Sequence, residues 1–174
     1  MQEFPGRFLG SAILPILDVD AAVEELEHCV KDYGFVMWQT HSNYGAGIDP
    51  DQKKFWPVWK KVADLGIFAY LHPTVSHQPK FNEYGYAMAA PGLGFTIDTM
   101  GSIVRMILSG IFDEIPDLKV VIGTFWRSTS ILDGRMENRF SWLPNPNKKI
   151  RNRWELIGER IFCDDFRKYI HTGI

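Results

Sequence analysis

The most constraining feature of this 174-residue chain is an alternation. Short, continuous apolar runs take turns with longer stretches whose apolar residues recur at helical spacing. Strands separated by helical patterns read as a parallel sheet joined by crossover helices. The first run, residues 8–14, is closed by Pro15; Asp18 then offers a helix cap, and Val19, Val23, Leu26, Val30 and Tyr33 follow at helical spacing until Gly34. A second run, residues 35–40, leads into a polar loop at 41–50. A helix over 52–64 presents Phe55, Val58, Trp59 and Val62 on one side. The third run, residues 67–71, meets His72-Pro73, where proline ends the ladder. A loop over 74–94, rich in Tyr, Phe, Gly and Pro, reads as a lid. A helix over 95–112 precedes a fourth strand at 120–122, helices near 130–142 and 153–161, and a last short strand at 168–172.

The runs are apolar enough to be buried on both faces. Five such strands fall short of a closed eight-stranded barrel, so the expectation is α/β: about five strand–helix units of an incomplete (β/α)8 barrel, residues 1–174 forming a single partial domain. In such folds, as in open α/β sheets, ligands gather at the C-terminal ends of the strands.

Charge narrows the partners. Nineteen basic residues against twenty-one acidic ones give a net charge of −2, with no long block of either sign, which argues against nucleic acid or an anionic membrane. The densest basic patch, Lys148-Lys149 with Arg151 and Arg153, reads as a solvated helix start. Two cysteines, Cys29 and Cys163, stand in helical-looking contexts, too few for a disulfide framework. With no secretory pattern at the N-terminus and no membrane-length apolar run, a cytoplasmic location is expected.

His72 is the foremost candidate for chemistry, because it closes a hydrophobic strand just before a long loop. Its imidazole could bind a divalent metal, act as a general base, or simply hydrogen-bond its own loop. His41 and His77 lie in loops after strands and read as loop-stabilising; His28, on a helix, reads as structural. His171 ends the last strand pattern. Asp98 and Asp113 flank the fourth helix, with capping the first reading and a substrate-facing role open for Asp98. Arg135 and Arg139, one turn apart, suit structural pairing. Phe81, Tyr84 and Tyr86 in the lid are compatible with a flat substrate ring.

Several pieces, taken in order, carry a resemblance. They are Pro5-Gly6-Arg7-Phe8-Leu9-Gly10 with Leu14-Pro15; Asp20-Ala21-Ala22-Val23-Glu24-Glu25-Leu26; Phe55-Trp56-Pro57-Val58-Trp59; Leu71-His72-Pro73-Thr74; Asp98-Thr99; Ser109-Gly110-Ile111-Phe112-Asp113; and Pro116-Asp117-Leu118-Lys119-Val120-Val121-Ile122-Gly123. The order resembles the amidohydrolase-related family, in the branch of the aminocarboxymuconate-semialdehyde and hydroxybenzoate decarboxylases. That resemblance implies a (β/α)8 barrel with one divalent metal, zinc or manganese, and a carboxy-lyase or hydrolase acting on a small aromatic or carbonyl acid.

It also implies a ligand set: a His-x-His pair on the first strand, the histidine of the His-Pro step, and an aspartate on the last strand. Position by position, His72 matches. The His-x-His strand is expected before residue 1 and the aspartate strand after residue 174. Thr124 occupies the position of the family's active-site histidine, while Arg135 and Arg139 keep the register. Asp98, Tyr84 and Tyr86 are the expected substrate contacts. The metal site of this chain alone is expected to be incomplete and the chain by itself inactive. The alternative is a non-catalytic module that associates with an intact homologue; a homo-oligomer is the other association expected.

Overall fold

In the computed structural model the described residues are Phe4, 7–123, Met136, 138–140 and 161–163. Five strands, β1 (Ser11–Ala12), β2 (Met37–His41), β3 (Phe68–His72), β4 (Val120–Ile122) and β5 (Ile161–Cys163), form one sheet in the order of the chain. Every pairing is parallel. Parallel neighbours need a crossover of a dozen residues or more. Helix α1 (Val19–Tyr33) supplies the first and α2 (Trp56–Asp64), entered through a 3-10 turn at Lys53–Phe55, the second.

Local chemistry explains the first helix. Asp18 accepts the amide of Ala21 and caps it, and Gly34 ends it at φ 66°, where its N–H reaches back to the carbonyls of Cys29 and Val30. Ala22, Leu26 and Cys29 form the buried stripe. Helix α2 buries Val58, Trp59 and Val62, and its Trp59 ring lies 4.8 Å from that of Trp38 on β2. Trp59 is fully buried, and its Nε1–H donates to the carbonyl of Pro50 at 3.0 Å, so the indole has a polar partner as burial demands.

The structure corrects several expectations. The first strand is only Ser11–Ala12, the two residues that pair with β2, and Phe8, Leu9 and Ile13 on either side are exposed. Residues 74–94 are not an open lid loop. They fold into short turns, α3 (Pro79–Asn82), α4 (Gly85–Ala87) and a π-turn at Met88–Gly92, whose Ala89 and Ala90 are buried. The long fourth helix is two: α5 (Gly94–Ser109) and α6 (Ile111–Glu114), broken where Gly110 adopts φ 83°. Ile161 and Cys163 belong to a strand rather than a helical stretch, because Ile161 pairs with Val120 and Cys163 with Ile122. The helices expected near 130–142 and 153–161, the strand expected at 168–172 and the basic patch at 148–153 lie wholly or largely outside the described residues; Met136 and residues 138–140 are helical.

The strands are not buried on both faces either. In β2 and β3 burial alternates: Trp38, Thr40, Ala69 and Leu71 are buried, whereas Met37, Gln39, Phe68 and Tyr70 are half-exposed. The buried face packs on the helices, with Leu26, Val58, Val62, Ile103, Met106 and Phe112 filling the core. The other face is the inward one of a barrel arc, and the described chain covers it only in part. Among the described residues, no helix is long and apolar enough to cross a membrane.

Candidate functional site

The inward face carries polar and aromatic groups in ordered rows. Parallel register pairs Met37 with Phe68, Gln39 with Tyr70 and His41 with His72, and because side chains alternate along a strand, all six share that face. The row ends with the two histidines. Their ring centroids are 6.0 Å apart and nearly perpendicular, at 82°. The ladder continues one step further, where the Ser42 amide donates to the His72 carbonyl at 2.9 Å.

The His72 tautomer follows from its partner. Nδ1 lies 2.8 Å from the carbonyl oxygen of Pro73, and a carbonyl only accepts, so Nδ1 carries the proton. Nε2 is then the nitrogen with the lone pair. The tyrosine one step back on the same face, Tyr70, lies 6.3 Å from the His72 ring. Tyr70 extends over Gly123 at the end of β4, where a Cβ would stand 2.4 Å from its hydroxyl oxygen, so only glycine leaves room for that ring. His41 is half-buried. Burial, and then the neighbouring His72, push its pKa below the ordinary imidazole value.

Behind the histidines, a hydrogen-bond network ties the loop ends together. Ser42 Oγ donates to Asp98 Oδ2 at 2.5 Å and accepts the Thr74 amide at 3.0 Å. Asn43 Nδ2 donates to the same Asp98 oxygen at 2.8 Å and to Thr74 Oγ1 at 2.6 Å. His77 Nε2 donates to Asn43 Oδ1 at 3.2 Å. Ser42 and Asn43 are buried, and these partners satisfy their polar groups. The network clamps residues 42–43 and 74, just beyond the two histidines, to helix α5. On its far side is a polar cavity of about 380 Å³, lined by Asp98, His77, Ser102 and Arg105 among others but not by His41 or His72. Arg105 reaches across it to Asp49 and Asp51, at 3.1 and 3.0 Å.

The sequence candidates therefore separate. His72 stands where expected, at the end of its strand. His41 is not a loop residue but the last residue of β2, beside His72. Asp98 lies inside α5 rather than flanking a helix, and one carboxylate oxygen is engaged by Ser42 and Asn43. Tyr84 and Tyr86 are 74% and 69% exposed and do not line the cavity. His28 is a surface group, 2.5 Å from Asp32 one turn along. Thr124, Arg135 and His171 lie outside the described residues. Ser42 and Asn43 are not among the sequence candidates; the Thr-His-Ser-Asn string straight after an apolar strand is the signal that points to them.

An imidazole whose Nδ1–H is held by a backbone carbonyl leaves Nε2 as its metal-ligating atom, so His72 fits the ligand role. Among the described residues, no three His, Cys, Asp or Glu side chains cluster closely enough to hold a metal. The sequence profile of the amidohydrolase family matches residues 1–170. The chain belongs to the amidohydrolase family. It is 31% identical, over 174 aligned positions, to a gamma-resorcylate decarboxylase of Rhizobium sp. strain MTP-10005, covering 96% of this chain and 51% of the relative. Among solved structures, the 2,6-dihydroxybenzoate decarboxylase from Rhizobium superposes with a TM-score of 0.80 at 29% identity, over 98% of this chain and 57% of that one. The dihydroxybenzoic acid decarboxylase of Polaromonas sp. JS666, solved with manganese and 2-nitroresorcinol, gives 0.81 at 27% identity, over 98% and 55%. This amidohydrolase chain thus spans about half the length of the relatives it matches. Its parallel, sequentially ordered sheet is the α/β barrel-type architecture that the resemblance implies.

Proposed function

We propose that this chain contributes part of the active site of a metal-dependent decarboxylase of small hydroxylated aromatic acids, with His72 as a metal ligand. The observation that carries the reading is the committed tautomer of His72, whose Nδ1–H is held by Pro73 at the C-terminal end of β3. The relatives supply the substrate class and the metal, manganese in the Polaromonas enzyme. Decarboxylation breaks the bond between ring and carboxyl: the ring carbon takes a proton and carbon dioxide leaves. When bound, a divalent metal supplies a positive centre that polarises a substrate oxygen. The chain's own part is to hold Nε2 of His72 in place, through Pro73 and the Ser42–His72 ladder bond. Phe68 and Tyr70 offer aromatic surface on the same face. Thr124 occupies the place of the family's active-site histidine, and a threonine hydroxyl does not serve as an acid or base near neutral pH, so another group delivers the proton.

The test is direct. Purified protein is assayed for metal content and for carbon dioxide release from 2,6-dihydroxybenzoate, with and without added Mn²⁺. Stoichiometric metal that disappears in His72→Ala supports the reading. Protein that takes up no metal and leaves the acid intact refutes it. One observation favours a second reading, a non-catalytic module that associates with an intact homologue or with copies of itself: the inward face of β2 and β3 is half-exposed. Light scattering on the same protein distinguishes the two, since an inert chain found only in higher-order or mixed assemblies fits the module.

A further inference from the structure

We infer that His41 is a second imidazole ligand, and that His41 and His72 together hold one divalent cation at the C-terminal ends of β2 and β3. The inference rests on the reading of His72 as a ligand and adds a residue that the resemblance does not supply.

Four observations converge. The two residues are register partners on adjacent parallel strands, so their side chains leave the same face side by side. Their rings are 6.0 Å apart, centroid to centroid. With metal–nitrogen bonds of about 2.1 Å, and ring centres roughly 1.1 Å further out, two imidazoles on a tetrahedral cation have centroids about 5.2 Å apart. Closing the gap takes less than about 1 Å, which side-chain rotation supplies without moving the strands. His72 already presents Nε2, its other nitrogen being spent on Pro73.

The last observation is what His41 lacks. It is half-buried, yet among the described residues it has no hydrogen-bond partner, and its recorded neighbour is the His72 ring. Its ring nitrogens are not among the buried unpartnered atoms, so they stay open to solvent, and a cation shared with His72 would engage one of them. Other histidines have different partners: His28 sits against Asp32 and His77 on Asn43. Two imidazoles leave at least two positions open on a four-coordinate ion, enough for a bidentate oxygen ligand such as an ortho-hydroxy acid.

The probe is Zn²⁺ alone, titrated calorimetrically into the whole chain, with Co²⁺ absorption as a second readout. The background carries His28→Ala, because His28 and Asp32 one turn apart form a surface pair able to take zinc by themselves. One site is expected, and both His41→Ala and His72→Ala should weaken it by about tenfold or more, with the Co²⁺ band losing intensity in each. His77→Ala leaves it unchanged. If His72→Ala weakens binding and His41→Ala does not, the second ligand is refuted while the His72 reading stands. If neither matters, or if the chain takes up no zinc, both fall. His41→Gln, which keeps the side-chain bulk, gives the same reading should His41→Ala fail to fold, as judged by tryptophan fluorescence.

Discussion

Replacing Asp98 by alanine should loosen the scaffold that aims the two histidines, and the structure sets the size of the effect. Asp98 Oδ2 accepts two hydrogen bonds, from Ser42 Oγ at 2.5 Å and Asn43 Nδ2 at 2.8 Å. Hydrogen bonds to a charged group contribute about 1.5–3 kcal/mol each. Both donors retain Thr74 as a partner, so neither is orphaned, and the lower end of the range applies: about 3 kcal/mol for the pair. For a chain of this size that corresponds to a fall in Tm of about 6–12 °C. Urea unfolding followed by tryptophan fluorescence suits the measurement, because Trp38 and Trp59 are buried against each other. A double-mutant cycle with Asn43→Ala isolates the Asn43 share, and coupling of about 1 kcal/mol or more is expected for residues in direct contact. A variant within about 0.5 kcal/mol of the parent, the range of an ordinary surface substitution, would falsify the view that this carboxylate clamps α5 to the strand ends.

Three further outcomes are expected. Trp59→Ala removes a fully buried indole and its bond to Pro50, and should cost about 3–5 kcal/mol in the same urea assay; a loss below about 1 kcal/mol contradicts the packing described. Gly123→Ala puts a methyl group 2.4 Å from the Tyr70 hydroxyl oxygen, an overpacking cost of about 1–3 kcal/mol, and Tyr70→Leu should recover part of it in thermal melts. Glu27, held down to about 2 by Lys31 and Lys61, has a folded-state value below its ordinary 4.5, so its stabilising effect is present above that value and lost as pH falls toward 2. The Tm gap between the parent and Glu27→Gln should be small, steady above about pH 5, and should close on acidification; a gap that ignores pH rules out this linkage.

What the sequence shows of this fold is what short-range chemistry decides. Asp18 and Gly34 bracket α1 because a cap and a left-handed stop are local signals. His72 was visible because proline ends its strand one residue later. The misses have equally physical causes. Gly110 was readable as a stop, but the apolar residues on either side of it keep helical spacing, so periodicity ran through the break. Ile161–Cys163 is too short for any period to declare itself, and only its pairing with Val120–Ile122 makes it a strand. His41 reads as the first residue of the polar loop at the C-terminal end of the second run, gathered there with His72, whereas β2 continues one residue further and pairs the two directly. Linear order does not reveal the clamp, because Ser42 and Asp98 are 56 residues apart and meet only once the sheet and α5 are in place.

The strand order has a consequence for how such a chain reaches its native state. Each strand pairs with the one made just before it, β1 to β2 and onward to β5, at separations that run from 26 residues (Ser11 to Met37) to 51 (Ala69 to Val120). Closures of that length are slow to form, but a growing chain can add each unit to an existing template as synthesis proceeds. Assembly can therefore run from the N-terminal unit forward, each new strand using its predecessor as the edge on which to settle.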